Sequence, residues 1–141
     1  ALHLGTLAAV VGYRVVVIDP RRAFGSAERF PDVDHIDHRW PDKALADLRP
    51  GASAAVVTLS HDPKIDDPAL RAALAGDAFY IGALGSRKTH AARRERLAAA
   101  GLSEAQLARI HAPVGLDLGA QTPEEIALAI MAEVVKAWHN R

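Results

Sequence analysis

Glycine, serine and arginine stand together at Gly82-Ala-Leu-Gly85-Ser86-Arg87, directly after the strand-forming run Phe79-Tyr80-Ile81. Two glycines let a backbone turn sharply and approach a ligand closely. Ser86 is an N-cap type. Arg87 to Ala100 holds no Gly or Pro and is rich in Ala, Arg, Leu and Glu, so it reads as a helix. Strand, glycine turn and helix start together offer backbone N–H groups and a partial positive charge to an anion. Arg87 adds a full charge in that first turn. A cation there opposes the helix dipole, so it points to a ligand rather than to helix stability. The competing reading is a tight packing turn, because a lone G-x-x-G is a weak motif.

Other chemistry-bearing residues follow strand-like runs. Asp19 ends Arg14-Val-Val-Val-Ile18, where an acid accepts hydrogen bonds from ribose hydroxyls in a dinucleotide-binding fold. Arg21 and Arg22, just beyond, are phosphate-holding types; the alternative is a turn Asp before Pro20 with surface arginines. His61, in Ser60-His61-Asp62, follows Ala54 to Leu59 and reads as a proton donor, a ligand contact or a plain loop residue. Ser-His-Asp in immediate succession is no catalytic triad, since adjacent residues cannot form the relay. Asp117, in Gly115-Leu-Asp-Leu-Gly119, precedes a helix start at Thr122. Glu124 and Glu125 suit that helix's dipole themselves, so Thr122-Pro-Glu-Glu reads as a capping box rather than a phosphate site. His35 and His38 with Asp34 and Asp37 match no strong metal-ligand spacing and read as a solvated loop. His90 lies in the helix after the glycine turn, and Arg93, Arg94 and Arg96 beyond it read as a basic solvated face.

The elements that position these residues alternate. Leu2 to Val11 reads as a helix closed by Gly12, and Arg14 to Ile18 as a buried parallel strand. Ala23 to Pro31 reads as a loop with at most one helical turn, and His35-Ile36 as a short edge strand. Pro41 to Leu48 is a helix and Ala54 to Leu59 a second buried strand. Asp67-Pro68 starts a helix to Leu74, with Pro at its first position. After the central stretch, Ser103 caps a helix to about Ile110, and His111 to Ala120 is a loop. Thr122 opens a nearly all-apolar helix to about Trp138, expected to be buried. This alternation implies an α/β fold: a doubly wound, mostly parallel, Rossmann-like sheet with helices on both faces. Asp19, His61 and the Gly82–Arg87 turn then fall on one edge, the carboxyl ends of the strands, where such sheets bind ligands. The expected first strand, with its own glycine turn, is missing, since Ala1 to Gly5 is too short to supply it.

Composition narrows the function classes. A chain of 141 residues, half of them apolar, suits one domain. Lys plus Arg equals Asp plus Glu, at 17 each. That balance argues against a general nucleic-acid or membrane-surface binder. No apolar run approaches the ~18 residues of a membrane span, and no signal-peptide pattern is present; a cytoplasmic location is the default. No Cys is present, so disulfides, thiolate metal sites and covalent sulfur carriage are excluded for this chain.

The motifs together resemble the XdhC/CoxI family. Phe-Tyr-Ile-Gly-Ala-Leu-Gly-Ser-Arg-Lys-Thr-His at 79–90 matches that family's signature. So do Gly-Leu-Ser-Glu at 101–104, Ile-His-Ala-Pro-Val-Gly-Leu-Asp-Leu-Gly-Ala at 110–120 and Thr-Pro-Glu-Glu-Ile-Ala at 122–127. Tyr13 to Arg21 follows its Tyr-Arg-Val-x-Val-x-Asp-Pro-Arg pattern, and Ser60-His61-Asp62 stands where it has Thr-His-Asp. The resemblance implies the Rossmann-like C-terminal domain of a longer accessory protein, often dimeric. Such proteins bind the molybdenum cofactor and assist its sulfuration and insertion into xanthine dehydrogenase-type molybdoenzymes, together with a cysteine desulfurase. Only His3-Leu4-Gly5 echoes the family's first glycine loop. The site expected from this reading comprises Asp19, Arg21, His61, Gly82, Gly85, Ser86, Arg87 and Asp117, with no catalytic residue. The rival reading is an NAD(P)-dependent oxidoreductase on the same fold and the same Asp19. A third is an interaction module without a ligand.

Overall fold

The computed structural model describes residues 2–21 and 30–141. Arg22 and most of the expected 23–31 loop lie outside the described residues. In chain order the elements are α1 (Leu2–Val11), β1 (Val16–Ile18), β2 (His35–Asp37), α2 (Pro41–Leu48), β3 (Ala55–Thr58) and α3 (Pro63–Leu74). They continue with β4 (Tyr80–Ala83), α4 (Arg87–Ala99), α5 (Glu104–Leu107), β5 (Ile110–His111) and α6 (Pro123–His139).

Every strand pair is parallel, as α/β alternation requires. The strands form two separate ladders. β1 pairs with β2, and β3, β4 and β5 form a second ladder with β4 central. Val16, Val17 and Ile18 align with His35, Ile36 and Asp37, and Val56 aligns with Ile81, which aligns with Ile110. β4 is fully buried, whereas β1 and most of β3 are half-buried. Val16–Ile18 is therefore a parallel strand, as its β-branched run predicts, without the complete burial expected of it.

Helices cover both faces. Leu70 and Leu74 of α3 and Leu97 of α4 pack with Ile81 on one face. Ile130, Met131 and Val134 of α6, with Leu4 and Leu7 of α1, pack over Tyr80 and Val57 on the other. Each such buried Leu or Ile stabilises the fold by ~1.5–3 kcal/mol. Among the described residues, no helix is long and apolar enough to cross a membrane.

Two elements differ from the sequence reading. α3 starts at Pro63 rather than at Pro68, because the Asp62 carboxylate accepts the Lys64 N–H at 3.0 Å and Pro63 takes the first helical position. Pro68 then sits inside the helix. The stretch after α5 is not wholly loop either. Ile110-His111 forms a two-residue edge strand on β4, too short to leave an alternating pattern.

Candidate functional site

Parallel pairing sets the ends of β3 and β4 side by side, and the end of β1 faces that of β3 across a cavity lined by Asp19, Arg21, Ser60 and Asp66. Asp19 follows β1, and its N–H donates to Asp37 O at 2.9 Å, continuing the ladder. Its carboxylate is already engaged. Arg21 donates to it from its backbone N–H at 2.9 Å and from Nε and Nη2 at 3.0 Å each. Burial raises the Asp19 pKa, but the Arg21 bonds and charge outweigh it and hold the carboxyl below its ordinary value. Arg21 also feels Asp62 and Asp66 across the gap, so the β1 and β3 ends are neighbours.

At the end of β3, Ser60 donates to the Asp66 carboxylate at 2.6 Å. Asp66 is buried, and burial raises its pKa against the hydrogen bonds that favour its ionised form. His61 takes a left-handed backbone conformation, φ 63°. A non-glycine residue there carries strain on the order of 1–3 kcal/mol, an expense that concentrates at functional sites. Its ring is exposed, beside the Ser60–Asp66 pair in sequence.

At the end of β4, Leu84 N–H donates to Thr58 O at 3.0 Å, and Gly85 turns at φ 139°. Ser86 caps α4, its Oγ accepting the Thr89 N–H at 3.1 Å. The N–H groups of Arg87 and Lys88 occupy the first helical positions, where no intrahelical carbonyl answers them. Arg87 is exposed, and among the described residues it makes no hydrogen bond or ion pair. Of the four described helices with a side-chain cap, α4 alone has no acid in its first turn; α3, α5 and α6 begin with Asp66, Glu104, and Glu124 with Glu125. The α6 start is closed by its own capping box, with Glu125 Oε1 accepting the Gln121 and Thr122 N–H groups at 3.0 and 3.1 Å.

Gly82 stands apart from the turn. It lies inside β4, where an added Cβ would meet Val114 Cγ2 at 2.6 Å and Tyr80 Cε2 at 2.8 Å. Its small size serves close packing. Asp117 lies exposed in the loop after β5, and among the described residues no hydrogen bond or ion pair ties it to the other candidates. Of the expected residues, Asp19, Arg21, His61, Gly85, Ser86 and Arg87 therefore share the strand-end rim. Gly82 sits behind it and Asp117 farther along. In the stretch 34–38, read from sequence as a solvated loop, Asp37 is buried at the end of β2 and engaged by Arg39 in a fork, and Asp34 accepts the Val15 N–H at 2.7 Å. Among the described residues, no group of three or more side chains is arranged to hold a metal.

Two polar groups, one buried and one half-buried, escaped the sequence reading. Arg93 is only 3% exposed rather than part of a solvated face. It donates to Leu84 O at 3.0 Å, lies 3.2 Å from His90 Nδ1, and braces the carbonyl just before Gly85. The signal was its spacing, four residues before the buried Leu97 on the same helix face. Glu133, an acid within the apolar run of α6, accepts the Tyr80 hydroxyl at 2.6 Å and the Gly115 N–H at 3.1 Å. His111 stacks on Tyr80 at 4.5 Å beside it. This cluster anchors the loop that carries Asp117.

The chain is similar to known proteins along nearly all its length. It is 32% identical over 133 residues to a probable xanthine dehydrogenase subunit of Bacillus subtilis (strain 168), covering 94% of this chain and 38% of that protein. It is 38% identical over 100 residues to the molybdenum cofactor insertion chaperone PaoD of Escherichia coli (strain K12), covering 71% of this chain and 31% of that one. A crystal structure described as a xanthine dehydrogenase from Bacillus halodurans superposes with a TM-score of 0.83 at 32% identity, covering 99% of this chain and 39% of that chain. The chain thus spans less than two-fifths of each of these proteins. With residues 1–134 matching the model of the XdhC Rossmann domain, it belongs to the XdhC family.

Proposed function

We propose that this domain holds the anionic end of the molybdenum cofactor, as molybdopterin phosphate or its dinucleotide, for an accessory protein of a xanthine dehydrogenase-type molybdoenzyme. It presents the cofactor for sulfuration and insertion and is not itself the catalyst. The observation that carries this reading is the start of α4: unanswered N–H groups, Arg87 with no carboxylate partner among the described residues, and no acid in the first turn. That donor set fits a phosphate. The name of one relative, a molybdenum cofactor insertion chaperone, supports reading that phosphate as part of the molybdenum cofactor. Gly85 lets the backbone approach, Ser86 fixes the helix start, and His61 borders the rim. The chain has no Cys, so the sulfur would come from a partner cysteine desulfurase, with the holder acting as a homodimer in the cytoplasm. The rival nicotinamide dinucleotide would need Asp19 for a ribose, and Arg21 already fills that carboxylate.

The test is titration of anaerobically prepared molybdenum cofactor, followed by pterin fluorescence. Arg87→Ala should lose roughly 1.5–3 kcal/mol, the range of a charged hydrogen bond, or about ten- to a hundredfold in Kd. Equal binding by parent and variant overturns the phosphate assignment. Tight binding of NADH or NADPH with turnover of a carbonyl substrate would favour the oxidoreductase.

A further inference from the structure

Arg93 sits behind the glycine turn, 3% exposed, and its surroundings do not neutralise it. Nη2 donates to Leu84 O at 3.0 Å, and Nη1 lies 3.2 Å from His90 Nδ1. An arginine nitrogen can only donate. His90 Nδ1 is therefore the acceptor, and the ring carries its proton on Nε2. Burial and the charges of Arg93 and Arg94 lower the His90 pKa, which keeps that ring neutral. Two carboxylates stand near Arg93, but both are engaged elsewhere. Ser60 donates to Asp66 at 2.6 Å, and Arg96 pairs with Asp67 at 2.7 Å. Arg93 feels them through space alone, and among the described residues no carboxylate bonds to it. Its Nε is buried with no hydrogen-bond partner. A buried cation held this way is costly and calls for a nearby negative charge.

The turn in front of Arg93 is built of unspent donors. In a trans peptide the C=O and the next N–H point in opposite directions. Leu84 O faces the guanidinium, so the Gly85 N–H faces away from it. Among the described residues, no acceptor meets the N–H groups of Gly85, Ser86, Arg87 or Lys88. The fit behind the turn is close. A Cβ at position 85 would lie 3.1 Å from Thr89 Cγ2 and 3.5 Å from Arg93 Nη2. The charge thus stands one peptide behind a row of four donors.

We propose that Arg93 is a positioning residue for the anion seat at the start of α4. It pins the Leu84 carbonyl inward, which aims the Gly85 N–H at the ligand, and its own charge is offset by that ligand through the peptide between them. This role rests on the phosphate reading of the turn. It adds a requirement that Arg87 does not share: Arg87 meets the anion from solvent, whereas Arg93 sets the shape and potential of the backbone that receives it. Apolar packing alone would be served as well by a residue of similar length without charge.

Nuclear magnetic resonance of the 141-residue chain, titrated with inorganic phosphate, separates the two levels. In the parent, the Gly85, Ser86 and Arg87 amides and the Arg93 Nε–H should move together with one midpoint. Arg93→Met keeps the length of the side chain and removes its charge and donors. It should raise the phosphate Kd about tenfold and displace the Gly85 amide resonance before any phosphate is added. Arg93→Lys restores a cation and a donor and should recover part of that loss. A parent whose 85–88 amides ignore phosphate overturns the phosphate reading, and the Arg93 role with it. A parent that binds, beside an Arg93→Met that binds equally well, overturns the Arg93 role alone and leaves the turn as the seat. Equal losses in the Met and Lys variants mean packing rather than charge, and overturn it too. Should Arg93→Met fail to fold, the parent decides: an Arg93 Nε–H that stays still while the Gly85 amide moves shows that the guanidinium does not sense the ligand, and the role falls.

Discussion

Asp37 closes β2 with its carboxylate forked by Arg39, whose Nε and Nη2 donate at 3.0 and 2.6 Å. The Arg39 bonds outweigh burial and pull the Asp37 pKa down to about 2. An unfolded Asp titrates near about 3.9. The ionised form is therefore favoured in the folded state, and its contribution is fully present above that unfolded value. It fades as pH falls from about 4 through about 2. Asp66 bends the other way, because burial raises its pKa, so the prediction is a difference between two proteins. Asp37→Asn should be less stable than the parent at pH 6, and the gap should narrow as pH falls below 4; urea melts across that range check it. A gap independent of pH would mean that the fork contributes shape rather than charge. At this scale the sequence was legible where one residue type has one use, as with the Ser86 cap. It was illegible where burial decides. Arg93 and Arg87 lie on one helix, yet the first is buried and donates to Leu84 O while the second is exposed. Gly82 and Gly85 sit three residues apart in one motif, yet the first is small for Val114 and Tyr80 and the second for a left-handed turn.

Helix starts show how local rules become architecture. α6 carries the complete reciprocal box, with Thr122 Oγ1 accepting the Glu125 N–H at 3.1 Å and Glu125 reaching back to Thr122. Thr122→Ala should lower stability by about 1 kcal/mol, whereas Thr122→Ser, which keeps the acceptor, should lose much less. Chemical denaturation of the two variants measures the difference. Both capping boxes could be read from residue order alone, because their partners are three residues apart. The start of α3 was misread because two prolines compete for its first position, and Asp62, one residue before the earlier Pro, decides between them. β5 was missed because two residues carry no period; only its alignment with Ile81 and Gly82 makes Ile110-His111 a strand.

Across the whole molecule, the division of the sheet sets a gradient of stability. β4 is bonded on both sides and buried under α3 and α4 on one face and α6 on the other. β1 is bonded on one side only and half-buried along its length. The alternating pattern announced the strands, their direction and the rim they share. It could not announce the division, because a β-branched run looks the same beside a neighbour or beside a cavity. Local opening follows buried contacts and paired backbone. Native-state hydrogen exchange in rising denaturant should therefore show two units. Amides of Ile81 and Gly82 should exchange only with global unfolding. Those of the β1–β2 ladder should open earlier, through a smaller transition with a shallower denaturant slope. If β1 and β4 amides merge into one isotherm from the lowest denaturant upward, the two ladders already behave as one sheet, and the cavity between them transmits packing as a paired strand would.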